Sequence, residues 1–551
     1  MTNADLESFL AHESFSTLDR HLARQLAARA RAGSQLIGYA TALTSLMLRQ
    51  GNVCLDLSQP PKESGSSIAK LMPWPNLEIW RDDLERSGVV AIGEPAFLPL
   101  VLDSSGRLYL HRYDDYERSL AKNILARVAA GRFRVIVGGP GTGKTTRIID
   151  ELLAVLARNP QAVIALAAPT GKAAHRMEES LRQRLEKLET LAELSAEQRA
   201  HLPRSASTLH RLLGSRNDSA FFKHNADHPL PADVVIVDEA SMVDLPLMAK
   251  LFAALNPAAE IVLVGDPHQL ASVEAGAVLT DIAHAASQSP TLGAARIALQ
   301  KQYRYGAESG IGLLCNAIRK GDGEQALVLL NSGQYADIRL CPLPERTRLT
   351  NALRDSAALG SLRKALAEAD PAAMLAGLGR SRILCPLRRG PFGVDAINEI
   401  IEALLDTRER RPIVLTRNDH DLQLYNGDGG IMVRDPQSAI MQVFFPSFDG
   451  ALRTVSALRL PPHESAYALT VHRSQGSEFD RVLMILPQAS NPLMTRELLY
   501  TAVSRARNDV EIWGDPQTLL EACKQKFERS SGLSDRLLCT LPESRCPAHA
   551  R

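Results

Sequence analysis

Gly138-Gly-Pro-Gly-Thr-Gly-Lys-Thr145 directly follows the apolar run Val135-Ile-Val137. Glycines at that spacing let backbone N–H groups turn inward onto phosphate oxygens. A lysine there reaches the β and γ oxygens, and the threonine hydroxyl helps to hold Mg²⁺. The helix expected from Thr146 onward aims the positive end of its dipole at the same phosphates. Gly138, Gly139, Pro140, Gly141, Thr142, Gly143, Lys144, Thr145 and Thr146 are therefore candidate nucleotide ligands, with Lys144 also catalytic and Thr145 also a metal ligand. A nucleoside triphosphate is the predicted fuel. Nucleotide kinases, GTPases, transporters and motors share such a loop, so it leaves the driven work open.

Downstream, Val234-Val-Ile-Val-Asp238-Glu239 places two carboxylates at the end of an apolar strand. Carboxyl ends of parallel strands are where substrate groups collect. Asp238 suits binding of Mg²⁺ through water, and Glu239 suits polarising the water that attacks a γ-phosphate. Ile261-Val-Leu-Val-Gly265-Asp266-Pro-His-Gln269 is a further strand ending in polar groups, and Gln269 could bond the γ-phosphate.

Such groups need strands that end together and helices that cover them. At 551 residues the chain has room for about three or four domains. A hydrophobic share of 45% and a charged share of 23% are those of a globular chain. No run approaches about 18 apolar residues, so no membrane span is expected. The N-terminal Met-Thr-Asn-Ala-Asp-Leu-Glu lacks basic and apolar signal regions, which predicts a cytoplasmic protein. Seven scattered cysteines without a Cys-x-x-Cys pair argue for reduced thiols and against a zinc site. With a net charge of +1, any nucleic-acid surface must be local.

Residues 1–112 read as a separate unit, with a helical apolar period over Leu22–Leu48, a loop over Ser58–Ser67 and a hairpin over Leu98–Leu110 around Asp103–Gly106. From about residue 113, short apolar strands (135–137, 163–168, 234–237, 261–264, 383–385, 482–486) alternate with amphipathic helices. That alternation predicts parallel sheets covered by helices on both faces. Two inserts interrupt it. Residues 177–204 are charged and helical, most simply a solvated helix pair. A strand-rich stretch near 410–462 carries the turns Asn426-Gly427 and Asp449-Gly450 and reads as a small β module.

The chain resembles the superfamily 1 helicases of the branch that moves 5′→3′. Within that branch it resembles the RecD subunits of exodeoxyribonuclease V, the RecBCD-type helicase–nucleases. The resemblance is carried by Gly138–Thr146, Ala167–Ala174, Ser207–Gly214, Asp238–Pro246, Gly265–Leu270, Ala271–Val278, Gln302–Arg304, Cys385–Val394, Tyr425–Asp428, Thr470–Asp480 and Thr495–Arg507. Order and spacing hold from about residue 130 to 510. The resemblance implies an α/β protein with two RecA-like phosphate-loop domains, over 113–290 and 291–551. It also implies a small insertion or pin near 214–232, an SH3-like β-rich insertion in the second domain, and a mainly α, partner-binding domain over 1–112. The site would lie between the two motor domains, with Lys144, Thr145, Asp238, Glu239 and Gln269 from the first. Arg304 and Arg505 would come from the second as arginine fingers, and Glu478 would bond the ribose. Pro169, Thr170, Lys172, Thr208, His210, Thr470 and His472 match motifs that touch the DNA backbone; Thr170 and Thr208 could equally be helix caps. Phe221-Phe222 in the pin segment could stack on bases or pack.

The implied function is an ATP-dependent 5′→3′ DNA helicase subunit in double-strand-break repair by homologous recombination. Its partners would be RecB-like and RecC-like subunits in a heterotrimer, and DNA with a 5′-ended single strand or a duplex end. Its cofactors would be ATP and Mg²⁺. Residues 101–134 lack the glutamine with which many helicases read adenine, so ATP follows from the resemblance and not from a base-reading residue. Only about 112 residues precede the motor, shorter than the extension of stand-alone relatives. The sequence shows no clustered carboxylate–lysine nuclease motif, which places any nuclease in a partner. The same motor working alone, and a non-motor structural or regulatory subunit, are the alternatives.

Overall fold

The computed structural model describes residues 6–61, 72–93, 96–190, 200–203, 205–216, 219, 221–306, 309–405, 409–419, 421–422, 424–435, 439–446 and 451–539. The apolar period over Leu22–Leu48 is carried by two helices, Thr17–Arg29 and Ser34–Arg49. They break at Gly33, whose φ of 65° suits glycine. Asp19, fully buried, ties the pair by accepting from Ser45 Oγ at 2.6 Å and Arg49 Nη2 at 2.7 Å. Strands β1 (Leu55–Asp56), β2 (Val90–Ile92), β3 (Leu100–Leu102) and β4 (Arg107–Leu110) form a sheet of order β1-β4-β3-β2 under these helices. The expected hairpin is the antiparallel β3–β4 pair, turning at Gly106. Of the expected loop at 58–67, residues 62–67 lie outside the described residues.

The first motor sheet comprises β5 (Phe133–Gly138), β6 (Ile164–Ala168), β7 (Ser207–Thr208), β8 (Val234–Val237), β9 (Glu260–Gly265) and β10 (Arg296–Leu299). Its order is β10-β5-β9-β8-β6-β7, parallel throughout. Every residue of β8 is buried, because helices cover both faces and an uninterrupted apolar run is what such a strand requires. The helix Lys144–Arg158 buries Ile148, Ile149, Leu152, Val155 and Leu156 on one stripe against the sheet.

The second motor sheet takes β11 (Ile338–Cys341), β12 (Ser381–Cys385), β18 (Ala468–Thr470), β19 (Phe479–Ile485) and β20 (Ala506–Trp513) in the parallel order β11-β20-β19-β12-β18. Between β12 and β18 stand β13 (Arg410–Leu415), β14 (Gly429–Arg434), β15 (Met441–Pro446), β16 (Leu452–Ser456) and β17 (His463–Ser465). These make an antiparallel sheet of order β16-β15-β14-β13-β17 around a small core that includes Ile413, Leu415, Met432 and Val443. Asn426-Gly427 is a turn with Gly427 at φ 92°, while Asp449-Gly450 lies outside the described residues. Helix Gly171–Thr190 runs into the charged insert, and most of its expected partner falls at 191–199, outside the described residues.

Two features depart from the expected boundaries. β10 pairs with β5, so the first sheet extends past residue 290, where the second domain was expected to begin. The chain also returns to the first domain at its end. The helix Leu533–Cys539 buries Leu533 and Leu537 in the core of the first motor domain. There Glu117, fully buried, accepts from Ser531 Oγ at 2.8 Å, Gly532 N at 3.0 Å and Arg536 Nε at 3.2 Å. Arg536 also bonds Asp114 at 2.5 Å. Removing one partner of a buried ion pair costs about 3–5 kcal/mol, because the remaining charge is left unpaired. Arg536→Ala is thus expected to lower the first denaturant-unfolding midpoint clearly, and an unchanged midpoint would show that this strap carries no stability.

Candidate functional site

β5, β9 and β8 end side by side at Gly138, Gly265 and Val237. From β5 the chain leaves towards β6, and from β9 it leaves towards β10 on the opposite side. A crevice opens where neighbouring strands diverge in this way. The loop after β5 turns through Gly141 (φ 71°) and Gly143 (φ 84°). Gly141 is needed twice over, since a Cβ there would meet Arg304 Cβ at 2.2 Å. Thr142 Oγ1 donates to the Gly139 carbonyl at 2.8 Å and closes the loop. Lys144 Nζ donates to the carbonyls of Gly138 (2.8 Å) and Gly139 (3.0 Å), which hold the ammonium over the loop.

Asp238 and Glu239 follow β8. Burial first, and the neighbouring Glu239 second, push the Asp238 carboxyl up to about 6. Glu239 holds φ at 51°, a left-handed conformation that costs a non-glycine residue strain. Its Oε2 is buried without a hydrogen-bond partner among the described residues. A strained backbone that aims an unsatisfied carboxylate oxygen into a cleft suits a bound water or cation.

Gln269 is buried and joins the two sheets: Arg505 Nη2 donates to its Oε1 at 2.9 Å. Arg505 is held by the carbonyls of Thr501 (3.2 Å) and Ser477 (3.1 Å). Around this link Tyr500 Oη donates to Asp266 at 2.9 Å, and Leu270 N donates to Thr501 Oγ1 at 2.9 Å. Gln475 Nε2 donates to the Leu270 carbonyl at 2.8 Å. The segment after β9 is thereby clasped to the helix Arg496–Val503 of the second domain.

Arg304 stands elsewhere than the resemblance implied. It follows β10 of the first sheet by five residues, on the connection between the domains, and Tyr303 N donates to the Gly141 carbonyl at 2.8 Å. Only its guanidinium reaches the second domain, where it bonds Glu478. Glu478 also pairs with Arg176 and Arg507, so both its oxygens are engaged by guanidinium groups. Together these groups line a cleft of about 360 Å³ that also includes Pro140, Thr145, Thr146, Ala173, Met177 and Gly476. Gly139 adjoins it, and Gly138 lies beneath Thr142. Arg176 was missed by sequence reasoning. Its signal is the spacing Ala173, Arg176, Met177, which places three cleft-lining residues on one face of a helix that begins just beyond β6.

The residues matched to DNA contact spread along the carboxyl ends of the edge strands β7 and β18 and of β6, which neighbours β7. β7 ends at Thr208, β18 ends at Thr470, and Pro169 and Thr170 follow β6. Thr170, Thr208 and Thr470 each accept a backbone N–H, from Ala173, Arg211 and Arg473; Thr170 and Thr208 thereby cap the helices that follow them, and all three keep an O–H to donate. Lys172 and Thr208 line a groove between the first domain and the antiparallel sheet, with His175, Arg211, Tyr425, Phe445 and Arg453. Burial and nearby Arg382 push the Lys172 ammonium down to about 8. His210 and His472 are both pushed down, chiefly by burial. The aromatic pair divides its roles. Phe222 packs against the first core beneath Lys250 (5.3 Å), and Phe221 is 78% exposed.

Comparison with known proteins agrees in order along the chain. The family model for the N-terminal domain of RecBCD enzyme subunit RecD matches residues 11–109. An AAA domain model matches 121–275, and a UvrD-like helicase C-terminal domain model matches 465–512. The RecBCD enzyme subunit RecD of Mycolicibacterium smegmatis is 36% identical, covering 97% of this chain and 99% of that protein. The RecBCD enzyme subunit RecD of Mycobacterium tuberculosis is 36% identical, covering 95% of each. The ATP-dependent RecD2 DNA helicase of Deinococcus radiodurans is 34% identical, covering 75% of this chain and 52% of that protein. No described helix is long and apolar enough to cross a membrane.

Proposed function

The chain belongs to the RecD family of RecBCD helicase subunits, and from that membership we propose how its cleft drives a DNA motor. It is an ATP-dependent DNA helicase that works with RecB-type and RecC-type subunits. The observation that carries the proposed site is the bond from Arg505 to Gln269, which joins the second domain to the segment beside the phosphate loop.

Lys144 and the loop N–H groups hold the β and γ phosphates, and Lys144, Thr145 and Thr146 form the first turn of the helix whose dipole faces them. Hard oxygen donors for a divalent cation are present in the Thr145 hydroxyl, the Asp238 carboxylate and the unpartnered Glu239 Oε2. Among the described residues no group of three or more His, Cys, Asp or Glu could hold a metal by itself. Phosphate oxygens and water would complete the shell. Bound Mg²⁺ supplies neutralisation of charge on the β and γ oxygens. Glu239 orients the attacking water and takes its proton. Gln269 reads the γ-phosphate and passes its presence to Arg505. Arg304 and Arg505 spread N–H bonds over the phosphoryl oxygens as charge moves onto the leaving group. Because Arg505 and Glu478 ride on the second sheet, filling and emptying the cleft moves one domain against the other.

The strand would run over the capped helix ends, from Thr170, Lys172, Thr208 and His210 to Thr470 and His472, in the 5′→3′ sense of the family branch. Phosphate contacts of this kind ignore sequence. If Lys172, Arg211 and Arg453 each neutralise one phosphate, raising salt from about 50 to 200 mM should weaken single-strand binding about 20-fold. Fluorescence anisotropy with mixed and homopolymeric strands measures this; an affinity flat in salt would remove these cations from the groove. The match over residues 11–109 and the full-length coverage of RecD relatives favour the subunit reading over a stand-alone helicase. The intact set of Lys144, Asp238, Glu239, Gln269, Arg304 and Arg505 disfavours a non-motor role.

A further inference from the structure

Glu478 precedes β19, and its carboxylate gathers arginines from three separate parts of the chain. Arg176 comes from the helix Gly171–Thr190 of the first domain, and Arg304 from the connection between the domains; both donate to Oε1. Arg507, on β20, lies 3.1 Å from Oε2. The Glu478 side chain is only 9% exposed, while those of Arg176 and Arg304 are 34% and 18% exposed within the same cleft. Burial would raise this carboxyl, but Arg176, Arg304 and Arg505 outweigh it and hold it at about 2. It is therefore an anion at every working pH.

One carboxylate cannot neutralise three guanidinium groups, so the cluster keeps an excess of positive charge, and two of its arginines, Arg176 and Arg304, line the nucleotide cleft. Guanidinium forks bind carboxylate and phosphate oxygens in the same planar, two-pronged way. A terminal phosphate carries more charge and more acceptor oxygens than a carboxylate, so the two compete for the same donors. Arg176 lines the same cleft as Lys144, Thr145 and the loop glycines Gly141 and Gly143.

We propose that Glu478 is an internal phosphate surrogate, holding Arg176 and Arg304 in the cleft and yielding them to the terminal phosphate of a bound triphosphate, with Arg176 a third arginine ligand of that phosphate. The proposal rests on the nucleotide-cleft reading. It makes Glu478 a positioning residue. It also gives the exchange a mechanical meaning, because the Arg176–Glu478 pair bridges the two motor domains and is broken when the triphosphate takes Arg176.

The test is equilibrium titration of the full chain with inorganic tripolyphosphate, ADP and ATP, for wild type, Glu478→Gln and Arg176→Gln. Removing the competing charge in Glu478→Gln is expected to tighten tripolyphosphate and ATP about tenfold while ADP moves by less than about twofold. Arg176→Gln is expected to weaken tripolyphosphate and ATP about tenfold and to spare ADP. A Glu478→Gln chain that binds ATP and ADP equally less well, with tripolyphosphate unchanged, would make Glu478 a ribose ligand and overturn the proposal. Unchanged triphosphate binding in Arg176→Gln overturns it as well, even if the other variant fails to fold. Wild type binding none of the three would instead sink the nucleotide cleft itself.

Discussion

Lys144→Gln lowers DNA-stimulated ATP hydrolysis by about 10²–10³-fold, on the scale of losing a preorganised charge-stabilising donor. The side chain is well placed for this size of effect. Lys144 begins the helix after the phosphate loop, and its ammonium lies over the Gly138 and Gly139 carbonyls, within reach of the cleft. Glutamine retains most of the length and an N–H donor but no charge. Thr142 and the glycines at positive φ fix the loop independently of the Lys144 charge, so the variant should keep the wild-type fold. Steady-state turnover with saturating single-stranded DNA checks the prediction. Wild-type turnover would remove this cleft from the chemistry.

Arg505→Lys separates the arginine finger from a structural role. An arginine acting on a transferring phosphoryl group contributes about 10³–10⁵ in rate, and lysine cannot reproduce its planar fork. Arg505 is 3% exposed and already points its Nη2 at Gln269. The substitution keeps the charge and most of the volume. Turnover at saturating ATP should fall about 10³-fold while the affinity for ATP shifts only a few-fold. Were Arg505 only a brace for the helix Arg496–Val503, the same change would lower the melting temperature and leave turnover at saturation nearly intact. Measuring both in one preparation decides between the roles.

The parts of this site that sequence revealed are those where physics leaves a local trace. The phosphate loop shows itself because its glycines must adopt positive φ at fixed spacing. β8 and β9 show themselves because strands covered on both faces must be apolar throughout. β20 was not visible, and the reason is chemical. Its buried Val510 and Ile512 alternate with Asp509 and Glu511, which pair with Arg339 and Arg481 of neighbouring strands, so no apolar run marks it. β10 likewise carries no residue buried on both sides, and missing it set the domain boundary too early. The return of Leu533–Cys539 to the first domain depends on Glu117, more than 400 residues earlier, a pairing without local signature.

The same limit applies inside the cleft. Gln269 and Arg505 stand 236 residues apart, and only the fold brings them to one hydrogen bond. Resemblance to relatives supplied both residues, but it assigned Arg304 to the second domain, whereas its backbone lies on the connection between the domains and only its guanidinium reaches the second. That residue lies just past β10, whose membership of the first sheet is a matter of long-range strand pairing. Resemblance also gave Glu478 to a ribose; its pairing with Arg176, Arg304 and Arg507 had no signal in the sequence. The cap reading of Thr170 and Thr208 was legible, since a hydroxyl between a strand end and a helix start is placed to accept a first-turn N–H.

The central claim is that this cleft, shared between two sheets, drives the chain along DNA in the 5′→3′ sense. The most direct measurement is strand displacement by the isolated chain with ATP, on duplexes that differ only in carrying a 5′ or a 3′ single-stranded tail, with Lys144→Gln alongside. The predicted result is displacement from the 5′-tailed duplex alone, lost in Lys144→Gln. Displacement only from the 3′-tailed duplex, or displacement that survives Lys144→Gln, would contradict it.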